Sequence, residues 1–458
     1  MPKKKTALTI EERLQQALVP AEEQPYEVPE NWVWVRLGEV NKYISKSVNP
    51  ISEPDKIFEL YSVPSMVDNY PEIIAGSDIG SSKQSVCKKD VLLCKINPRI
   101  NRVWKVSQFT DNELIASSEW IIIRNNHINE NYLMYCFQSK YFREFMLSNV
   151  SGVGGSLMRA QPKYVQTYPI PLPPLSEQQR IVERIEELFA KLDEAKERLQ
   201  EVEDSFAVRK AAILHKAFTG ELTKQWRRKN GVSDESWEES NLGSFIACGP
   251  QNGLYKPKSS YGDGIRIIRI DAFYDGVIEQ WDELKRLRLD ENEIECYSLN
   301  LNDILINRVN SMQYLGKSAL VRELKDICVF ESNIMRLSVD ESRIYPEFLI
   351  SFLNSQMGLN ELRKNAKQAV NQASINQQDI KNVIINLPAL SEQHEIVRLI
   401  DDLLARERSA QQATEQALAS IDLMKKSILA RAFRGELGTN KASEASALEL
   451  LKQVLAEN

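Results

Sequence analysis

The chain has 458 residues, which is too many for one compact hydrophobic core and predicts two globular units with connecting structure. Its hydrophobic fraction of 43% excludes a disordered chain, and no apolar run is long enough to be a transmembrane helix. The formal net charge of −6 argues against a nucleic-acid partner, but ten acids and five bases between residues 177 and 204 place most of that excess on one solvated segment.

Residues 1–30 are predicted to form an N-terminal extension. Its basic start is followed by a polar amphipathic stretch, so we expect no signal peptide. The first globular unit is predicted over residues 31–170. In it the run at 120–123 is typical of a strand and the run at 132–146 of a helix, so the unit is expected to be α+β.

A block of about fifty residues then appears, and it occurs again 215 positions later without a gap. Residues 170–222 and 385–437 share 22 of 53 positions, so both derive from or imitate one unit. Each copy opens on Leu-Pro-x-Leu-Ser-Glu-Gln and closes on Ala-Phe-x-Gly-Glu-Leu. We call these the opening motif and the closing motif.

Each repeated block predicts a long helix, because apolar residues follow alternating spacings of four and three, the heptad seam of a coiled coil. The first helix is expected to begin with Ser176 as N-cap and Gln179 completing a capping box, and to end near Gly220. The second seam is interrupted by the polar residues Glu407 and Thr414. The first seam comprises Ile181, Ile185, Leu188, Leu192, Ala195, Leu199, Val202 and Phe206, and the second Ile396, Ile400, Leu403, Ala410, Ala417, Ile421, Met424 and Ile428.

The remaining segments complete the predicted organisation. They are a first helix block at 171–222, a charged linker at 223–240, a second α+β unit at 241–385, a second helix block at 386–437 and a tail at 438–458, polar and flexible before a short amphipathic turn. In the second unit the runs at 265–270 and 329–337 predict strands and 346–362 a helix. We predict that the two helices pair as an antiparallel coiled coil with a pseudo-two-fold. The alternative is two independent amphipathic helices, each packed on its own unit.

Signals for catalysis are weak. Three isolated histidines make a metal cluster or a histidine-based triad improbable, and six scattered cysteines, without a Cys-x-x-Cys pair, are expected to be reduced core thiols in a cytoplasm. Gly316-Lys317-Ser318 imitates the end of a P-loop, but Ser311 stands where the required glycine would be. Asp271 with Glu283 and Lys285 loosely fits a metal-dependent nuclease, a spacing that charged sequences often produce by chance.

Polar residues suited to reading base edges recur at matched positions in both units. Arginine can bond guanine O6 and N7, and asparagine or glutamine can bond adenine N6 and N7. The first cluster is Lys95, Asn97, Arg99, Asn101 and Arg102, and its counterpart is Asn307, Arg308, Asn310, Gln313 and Lys317. The alternative for the first cluster is a solvated loop with an Asn-Pro turn.

A second polar segment precedes each long helix. Glycines and polar side chains there could approach phosphates or bases, or could simply form a flexible elbow. The candidates are Ser156, Arg159, Gln161 and Lys163 in the first unit and Gln368, Asn371 and Gln372 in the second. Arg266 and Arg269 are further candidates, but three positions apart on a strand they point to opposite faces, so at most one should reach DNA.

The duplicated opening and closing motifs, the long heptad helices and residues 90–99 resemble the specificity subunit of type I restriction-modification enzymes over nearly the whole chain. The resemblance implies two target-recognition domains that each read half of a bipartite, asymmetric DNA sequence. It implies that the paired helices set the half-site spacing and recruit two methyltransferase subunits, joined by restriction subunits. The extension at 1–30 departs from the family pattern.

The resemblance also implies partner-docking residues in the closing motifs, namely Phe218, Glu221, Leu222, Phe433, Glu436 and Leu437. A non-catalytic chain without its own metal or cofactor is then expected, with S-adenosylmethionine, ATP and magnesium on the partner subunits. Two alternatives stay open: a scaffold that organises proteins without reading DNA, and a nuclease using the Asp271 set.

Overall fold

The computed structural model describes residues 8–152, 158–274, 276–279, 281–370 and 372–456. The chain divides into unit 1, Met1–Leu199 with Ala417–Asn458, and unit 2, Gln200–Gln416. Both divisions fall inside long helices, so each unit combines the first part of one helix with the last part of the other. No helix in the described ranges has the length and apolarity needed to cross a bilayer.

The helices and strands alternate irregularly along the chain, as expected for an α+β fold. The described helices are α1 (Ile10–Ala17), α2 (Leu37–Val40), α3 (Glu130–Gln138), α4 (Lys140–Ser148), α5 (Pro162–Val165), α6 (Leu175–Phe218), α7 (Lys224–Asn230), α8 (Glu291–Tyr297), α9 (Pro346–Leu353), α10 (Gln356–Arg363), α11 (Gln377–Lys381), α12 (Leu390–Ala432) and α13 (Ala447–Ala456). The strands up to the first long helix are β1 (Val33–Arg36), β2 (Ser47–Val48), β3 (Ile57–Tyr61), β4 (Glu72–Ala75), β5 (Lys83–Ser85), β6 (Val91–Cys94), β7 (Val103–Lys105), β8 (Glu113–Ala116), β9 (Trp120–Ile123), β10 (Val150–Ser151), β11 (Arg159–Ala160) and β12 (Pro169–Leu172). Those after it are β13 (Glu238–Asn241), β14 (Ile246–Asn252), β15 (Tyr261–Ile268), β16 (Phe273–Tyr274), β17 (Val277–Ile278), β18 (Arg286–Leu287), β19 (Ile304–Asn307), β20 (Val309–Asn310), β21 (Ser318–Leu320), β22 (Cys328–Phe330), β23 (Ile334–Val339), β24 (Lys367–Ala369), β25 (Gln372–Ser374) and β26 (Ile384–Leu387).

The sheets of the two units share a plan, although their sequences have diverged. In unit 1, β1 pairs antiparallel with β12, and in unit 2, β13 pairs antiparallel with β26. A sheet in the order β7-β6-β9 in unit 1 corresponds to β21-β19-β23 in unit 2, where β14 is added at the edge. Unit 1 alone adds a sheet in the order β2-β5-β8-β3-β4, and unit 2 has β18-β15-β22.

Both predicted long helices are confirmed, and within each unit they pair antiparallel. In unit 1 the start of α6 shares a core with the end of α12, and further along Asp193 forms an ion pair with Lys425. In unit 2 the start of α12 packs on the end of α6, and further along Glu407 pairs with Arg209 at 2.8 Å. The alternative of two independent amphipathic helices is therefore wrong.

Two details of the helix prediction are wrong. Helix α6 begins at Leu175, so Ser176 is inside it, and the Pro174 carbonyl accepts from the Gln178 amide at 3.0 Å. A proline needs no N–H partner in a first turn, which suits this start. The seam also drifts, because a straight helix turns every 3.6 residues rather than 3.5. Val202 and Met424 of the predicted seams are 41% and 51% exposed, while Leu429, one position after Ile428 of the second seam, is 6% exposed.

Other segments differ in local detail. The predicted helices at 132–146 and 346–362 are each split at a serine, Ser139 and Ser355, whose hydroxyls donate to a preceding carbonyl at 2.5 and 2.6 Å. The predicted strand at 329–337 is two strands, β22 and β23. Local hydrogen bonds of serine compete with helix continuation, which hydrophobic periodicity does not reveal. The cysteine expectation is half wrong, since Cys94, Cys136 and Cys328 are buried but Cys87, Cys248 and Cys296 are exposed.

The described parts of the N-terminal extension and of the tail, residues 8–30 and 438–456, pack into unit 1. Helix α1 packs against α13, and the Val19 amide donates to the Trp34 carbonyl at 3.0 Å beside β1. Helix α13 buries Leu451 and Val454 completely. The polar stretch expected to be flexible is bonded to α6 in unit 1, since Thr439 is 9% exposed and its carbonyl accepts from Arg180 Nε at 3.0 Å. Likewise the predicted linker contains α7, whose Arg227 is buried in unit 2.

Candidate nucleic-acid interface

The two polar segments predicted in unit 1 lie side by side. Ile96 forms an antiparallel bridge with Arg159, and the Ala160 amide donates to the Lys95 carbonyl at 2.8 Å. The Asn97 amide donates to the Met158 carbonyl at 2.7 Å. Residues 95–102, which we call reading loop 1, therefore share one surface with residues 158–163. The candidate Ser156 lies outside the described residues.

Reading loop 1 is a tight turn whose two asparagines have structural roles. Asn97 and Asn101 have φ of 53° and 52°, the left-handed region that asparagine tolerates better than most residues. The Asn101 side chain donates through Nδ2 to the Gln138 carbonyl at 3.1 Å, and Asn97 Oδ1 accepts from Arg99 Nε at 3.0 Å. Because these amide groups are occupied in the turn, Arg99, which is exposed, is the better candidate for a base contact.

The cations around reading loop 1 differ in availability. Lys95 and Arg102 are half-buried. Arg159 is bound by Glu119 at 3.2 and 3.3 Å, which partly neutralises it. Lys163 is exposed, with its ammonium 4.6 Å from the Tyr164 ring centre, and Gln161 is half-buried. The surface is therefore rich in cations.

Unit 2 brings its two segments together in the same way. Strand β20 pairs with β25, which pairs with β24, so Val309 faces Ser374 as Ile96 faces Arg159 in unit 1. This places Asn310, a member of the first segment, beside the strands that carry Gln368 and Gln372. We call residues 307–317 reading loop 2. The candidate Asn371 lies outside the described residues.

The side chains of reading loop 2 are less cationic. Gln313, Gln368 and Gln372 are exposed and Asn310 is half-buried. The Lys317 ammonium lies 4.8 and 4.5 Å from the ring centres of Tyr274 and Tyr314, two exposed tyrosines that sequence reasoning missed.

Two predicted contacts in this loop do not fit. Asn307 is 1% exposed, and within the described residues its side-chain atoms Oδ1 and Nδ2 have no hydrogen-bond partner. This burial keeps its side chain from reaching a DNA groove. Arg308 is half-buried and donates to the Ser332 carbonyl at 2.9 Å, which commits part of its guanidinium to the unit.

Arg266 and Arg269 do not fit their predicted DNA-binding role either. Both arginines are bound by acids of unit 2, which cancels the charge that would attract a phosphate. Arg266 contacts Asp326 and lies 3.6 Å from Asp282, while Arg269 lies 3.4 Å from Glu331 and 4.0 Å from Asp271. Asp271, proposed for a nuclease, is thus in an ion pair, and over the described ranges no three His, Cys, Asp or Glu residues form a cluster that could hold a metal.

The opening motif closes each unit around a buried carboxylate. In unit 1, Glu177 is fully buried and accepts from Trp32 Nε1 and Asn440 Nδ2, each at 2.8 Å. In unit 2, the equivalent Glu392 is 1% exposed and accepts from Thr223 Oγ1 at 2.6 Å and Arg227 Nη1 at 2.7 Å. A buried carboxylate needs such donors, and each unit supplies its own set to this glutamate.

The next residue of the opening motif anchors a helix of each unit. Gln178 donates to the Pro173 carbonyl at 2.9 Å and accepts from the Asn129 amide, at the start of α3, at 2.9 Å. Gln393 donates to the Pro388 carbonyl at 2.8 Å and accepts from the Tyr345 amide, at the start of α9, at 2.7 Å. The repeated glutamine therefore fixes the long helix to the unit that carries the reading loop.

The closing motifs are mostly internal, which corrects the docking prediction for their phenylalanines. Phe433 is fully buried, with its ring centre 5.3 Å from that of Tyr132. Phe218 is 3% exposed and packs between Phe348 and Phe352. Leu222 and Leu437 pack against the same cores, and Glu221 and Glu436 are exposed. Of the six candidates, these two glutamates are the exposed ones.

The family model of the type I restriction modification DNA specificity domain matches residues 29–204 and 234–418. The chain belongs to this family. It is 32% identical over 341 residues to the type I restriction enzyme StySPI specificity subunit of Salmonella potsdam, covering 72% of each chain. The EcoKI specificity subunit of Escherichia coli is 28% identical over 340 residues, again covering 72% of each. The resemblance inferred from the duplicated motifs is thus confirmed.

Solved structures share the fold of this family member. The HsdS subunit from Thermoanaerobacter tengcongensis matches with a TM-score of 0.64 at 23% identity, covering 90% of this chain and 99% of that one. A chain from a solved type I R-M system matches with a TM-score of 0.68 at 23% identity, covering 90% and 100%.

Proposed function

We propose that this chain reads a bipartite DNA sequence, one half with each unit, as the specificity subunit of a type I restriction-modification complex. The observation that carries the proposal is the recurrence of one two-segment surface at equivalent positions with different side chains. Two readers that keep a scaffold and change their contacts would recognise different half-sites.

The side chains suggest what each unit reads. Unit 1 offers Arg99 with Lys95 and Lys163, which suit guanine edges and phosphates. Unit 2 offers the exposed amides Gln313 and Gln372 and few cations, which suit adenine edges. We therefore expect at least one guanine contact in the first half-site and one adenine contact in the second.

The proposal assigns the chemistry to partners. Two methyltransferase subunits would bind S-adenosylmethionine, and restriction subunits would bind ATP and magnesium, in the cytoplasm. This chain would be non-catalytic, recruiting them and selecting the DNA. Because its net charge is −6, we expect it to bind DNA weakly until the methyltransferase subunits complete the complex.

Exchange of one unit's reader tests the proposal. The complex with its methyltransferase subunits is expressed in cells, and methylated adenines are sequenced. Replacing residues 31–165 with those of a relative should change one half of the methylated sequence and preserve the other. A change in both halves would refute the assignment of one half-site to each unit.

A point substitution separates reading from scaffolding. Arg99→Ala should cost about 1–3 kcal/mol at a single base pair of one half-site. The control Arg198→Ala removes an exposed arginine of α6 that pairs with Glu194, and should leave base preference unchanged. A protein scaffold that does not read DNA would instead give a complex without salt-dependent DNA binding.

A further inference from the structure

Two short consecutive helices pack together in each unit, α3 with α4 in unit 1 and α9 with α10 in unit 2, and we call them the helix pair. An arginine from the second helix of the pair holds each reading loop. In unit 1, Arg143 of α4 donates through Nη2 to the Arg99 carbonyl. In unit 2, Arg363 of α10 donates through Nε to the Leu315 carbonyl at 2.8 Å and through Nη2 to the Gln313 carbonyl at 3.2 Å. The acceptors are main-chain oxygens in both units, so the contacts fix the loop backbone. They do not occupy the side chains of Arg99 and Gln313, which are exposed.

The end of the first helix in each pair adds a second tether. In unit 1 the Gln138 carbonyl, at the end of α3, accepts from the Asn101 side chain at 3.1 Å. In unit 2 Asn354, just after α9, accepts from the Ser318 amide at 3.1 Å and donates to the Ser318 carbonyl at 2.9 Å. In each unit the helix pair therefore holds two points, both within reading loop 1 in unit 1, and in unit 2 one within reading loop 2 and one at Ser318 directly after it.

That helix pair is itself fixed to a long helix. The start of α3 is bonded to Gln178 of α6, and the start of α9 to Gln393 of α12. In each unit, hydrogen bonds thus join the opening motif to the first helix of the pair, and the second helix to the reading loop. The two arginines stand at different positions of their helices, the fourth residue of α4 and the last of α10. Similar tethering by non-equivalent residues indicates that holding the loop is the retained property.

We propose that Arg143 and Arg363 are positioning residues for sequence reading, Arg143 for the first half-site and Arg363 for the second. This inference rests on the proposed DNA-reading function. A guanidinium offers several donors in a rigid fork, so one side chain can bond main-chain oxygens of a turn from outside it. Arg363 uses two of these donors on two carbonyls, and Arg143 uses one. Without it, the base-reading side chains would lose the alignment that bidentate contacts require.

The test uses the full chain with its methyltransferase subunits. The DNA probe is a duplex carrying the sequence that the wild-type complex methylates in cells, and a set of duplexes with single base changes in either half. Arg143→Ala should lower affinity for the cognate duplex about 10- to 100-fold and reduce discrimination in the first half only. Arg363→Ala should do the same in the second half only.

Salt dependence and matched controls distinguish positioning from direct phosphate contact. A positioning residue leaves the slope of affinity against salt unchanged, whereas loss of a phosphate contact lowers it by about one for all sequences. Lys140→Ala removes an exposed cation from α4, and Lys364→Ala removes one directly after α10, and both should match the wild type. Arg143→Lys and Arg363→Lys keep the charge but not the fork, and should give an intermediate loss of discrimination.

Three outcomes would overturn the inference. The first is that Arg143→Ala and Arg363→Ala behave like the controls Lys140→Ala and Lys364→Ala. The second is an equal loss of affinity for all duplexes with a reduced salt slope. The third is a loss of base discrimination in both half-sites from one substitution. If an alanine variant does not fold, the lysine variant decides, because full discrimination in it would refute the need for the fork. A wild-type complex that shows no base preference would instead refute the proposed function itself.

Discussion

Arg227 and Glu392 form a buried ion pair in unit 2, and removing one partner should destabilise that unit strongly. Their side chains are 6% and 1% exposed, and Arg227 Nη1 lies 2.7 Å from Glu392 Oε1. At this separation two unit charges attract each other by on the order of 6 kcal/mol when the effective dielectric constant is near 20. Arg227→Met would leave Glu392 charged and buried, and such losses cost about 3–5 kcal/mol.

The free energy of unfolding is measured by urea denaturation, with hydrogen exchange of individual peptides as the probe. The peptides report the unfolding of the two units separately. Arg228→Met, on the exposed side of the same helix, is the matched control and should cost less than about 0.5 kcal/mol. The double variant Arg227→Met with Glu392→Gln should recover a large part of the loss, because no buried charge remains. If Arg227→Met costs no more than the control, the buried carboxylate does not organise unit 2 as described.

Two further predictions concern the buried tryptophan contact and the thiols. Trp32→Phe removes the indole donor to Glu177 and should destabilise unit 1 by about 1–3 kcal/mol, whereas Trp237→Phe should cost less, since in the described structure the Trp237 Nε1 has no partner. Equal losses in urea denaturation would contradict this. Burial raises the pKa of the Cys136 and Cys328 thiols to about 12, so in the native protein a thiol reagent should modify the three exposed cysteines and spare these two. Modification of all six thiols at one rate would count against the described burial. The three exposed cysteines are Cys87, Cys248 and Cys296.

Sequence patterns predicted the long helices and the family but not the contacts made by single side chains. The heptad spacing and the constant offset predicted both long helices, because hydrophobic periodicity is a local property of the chain. The same sequence placed Arg266, Arg269 and Asn307 among the DNA contacts. Their partners, such as Asp326 for Arg266, are distant in sequence, and the burial of Asn307 depends on strands that pack around it.

The contacts that hold the reading loops were missed for the same reason. Arg143 and Arg363 belong to helices with ordinary amphipathic patterns, and nothing in the local sequence marks them. A comparison of the two units could have found the opening motif's role, since Glu177 and Gln178 recur as Glu392 and Gln393. It could not have named their partners, which differ between units.

By itself the sequence determined that this chain is a duplication joined by two heptad helices, and that two polar segments recur in each half. Periodicity and repetition are written in residue order, so they need no coordinates to be recognised. Only the tertiary structure decided that each compact unit takes the start of one long helix and the end of the other. It also decided that the closing-motif phenylalanines are core residues and that an arginine holds each reading loop. Burial and hydrogen bonding between distant residues arise only when the chain packs, which is why these roles required the fold.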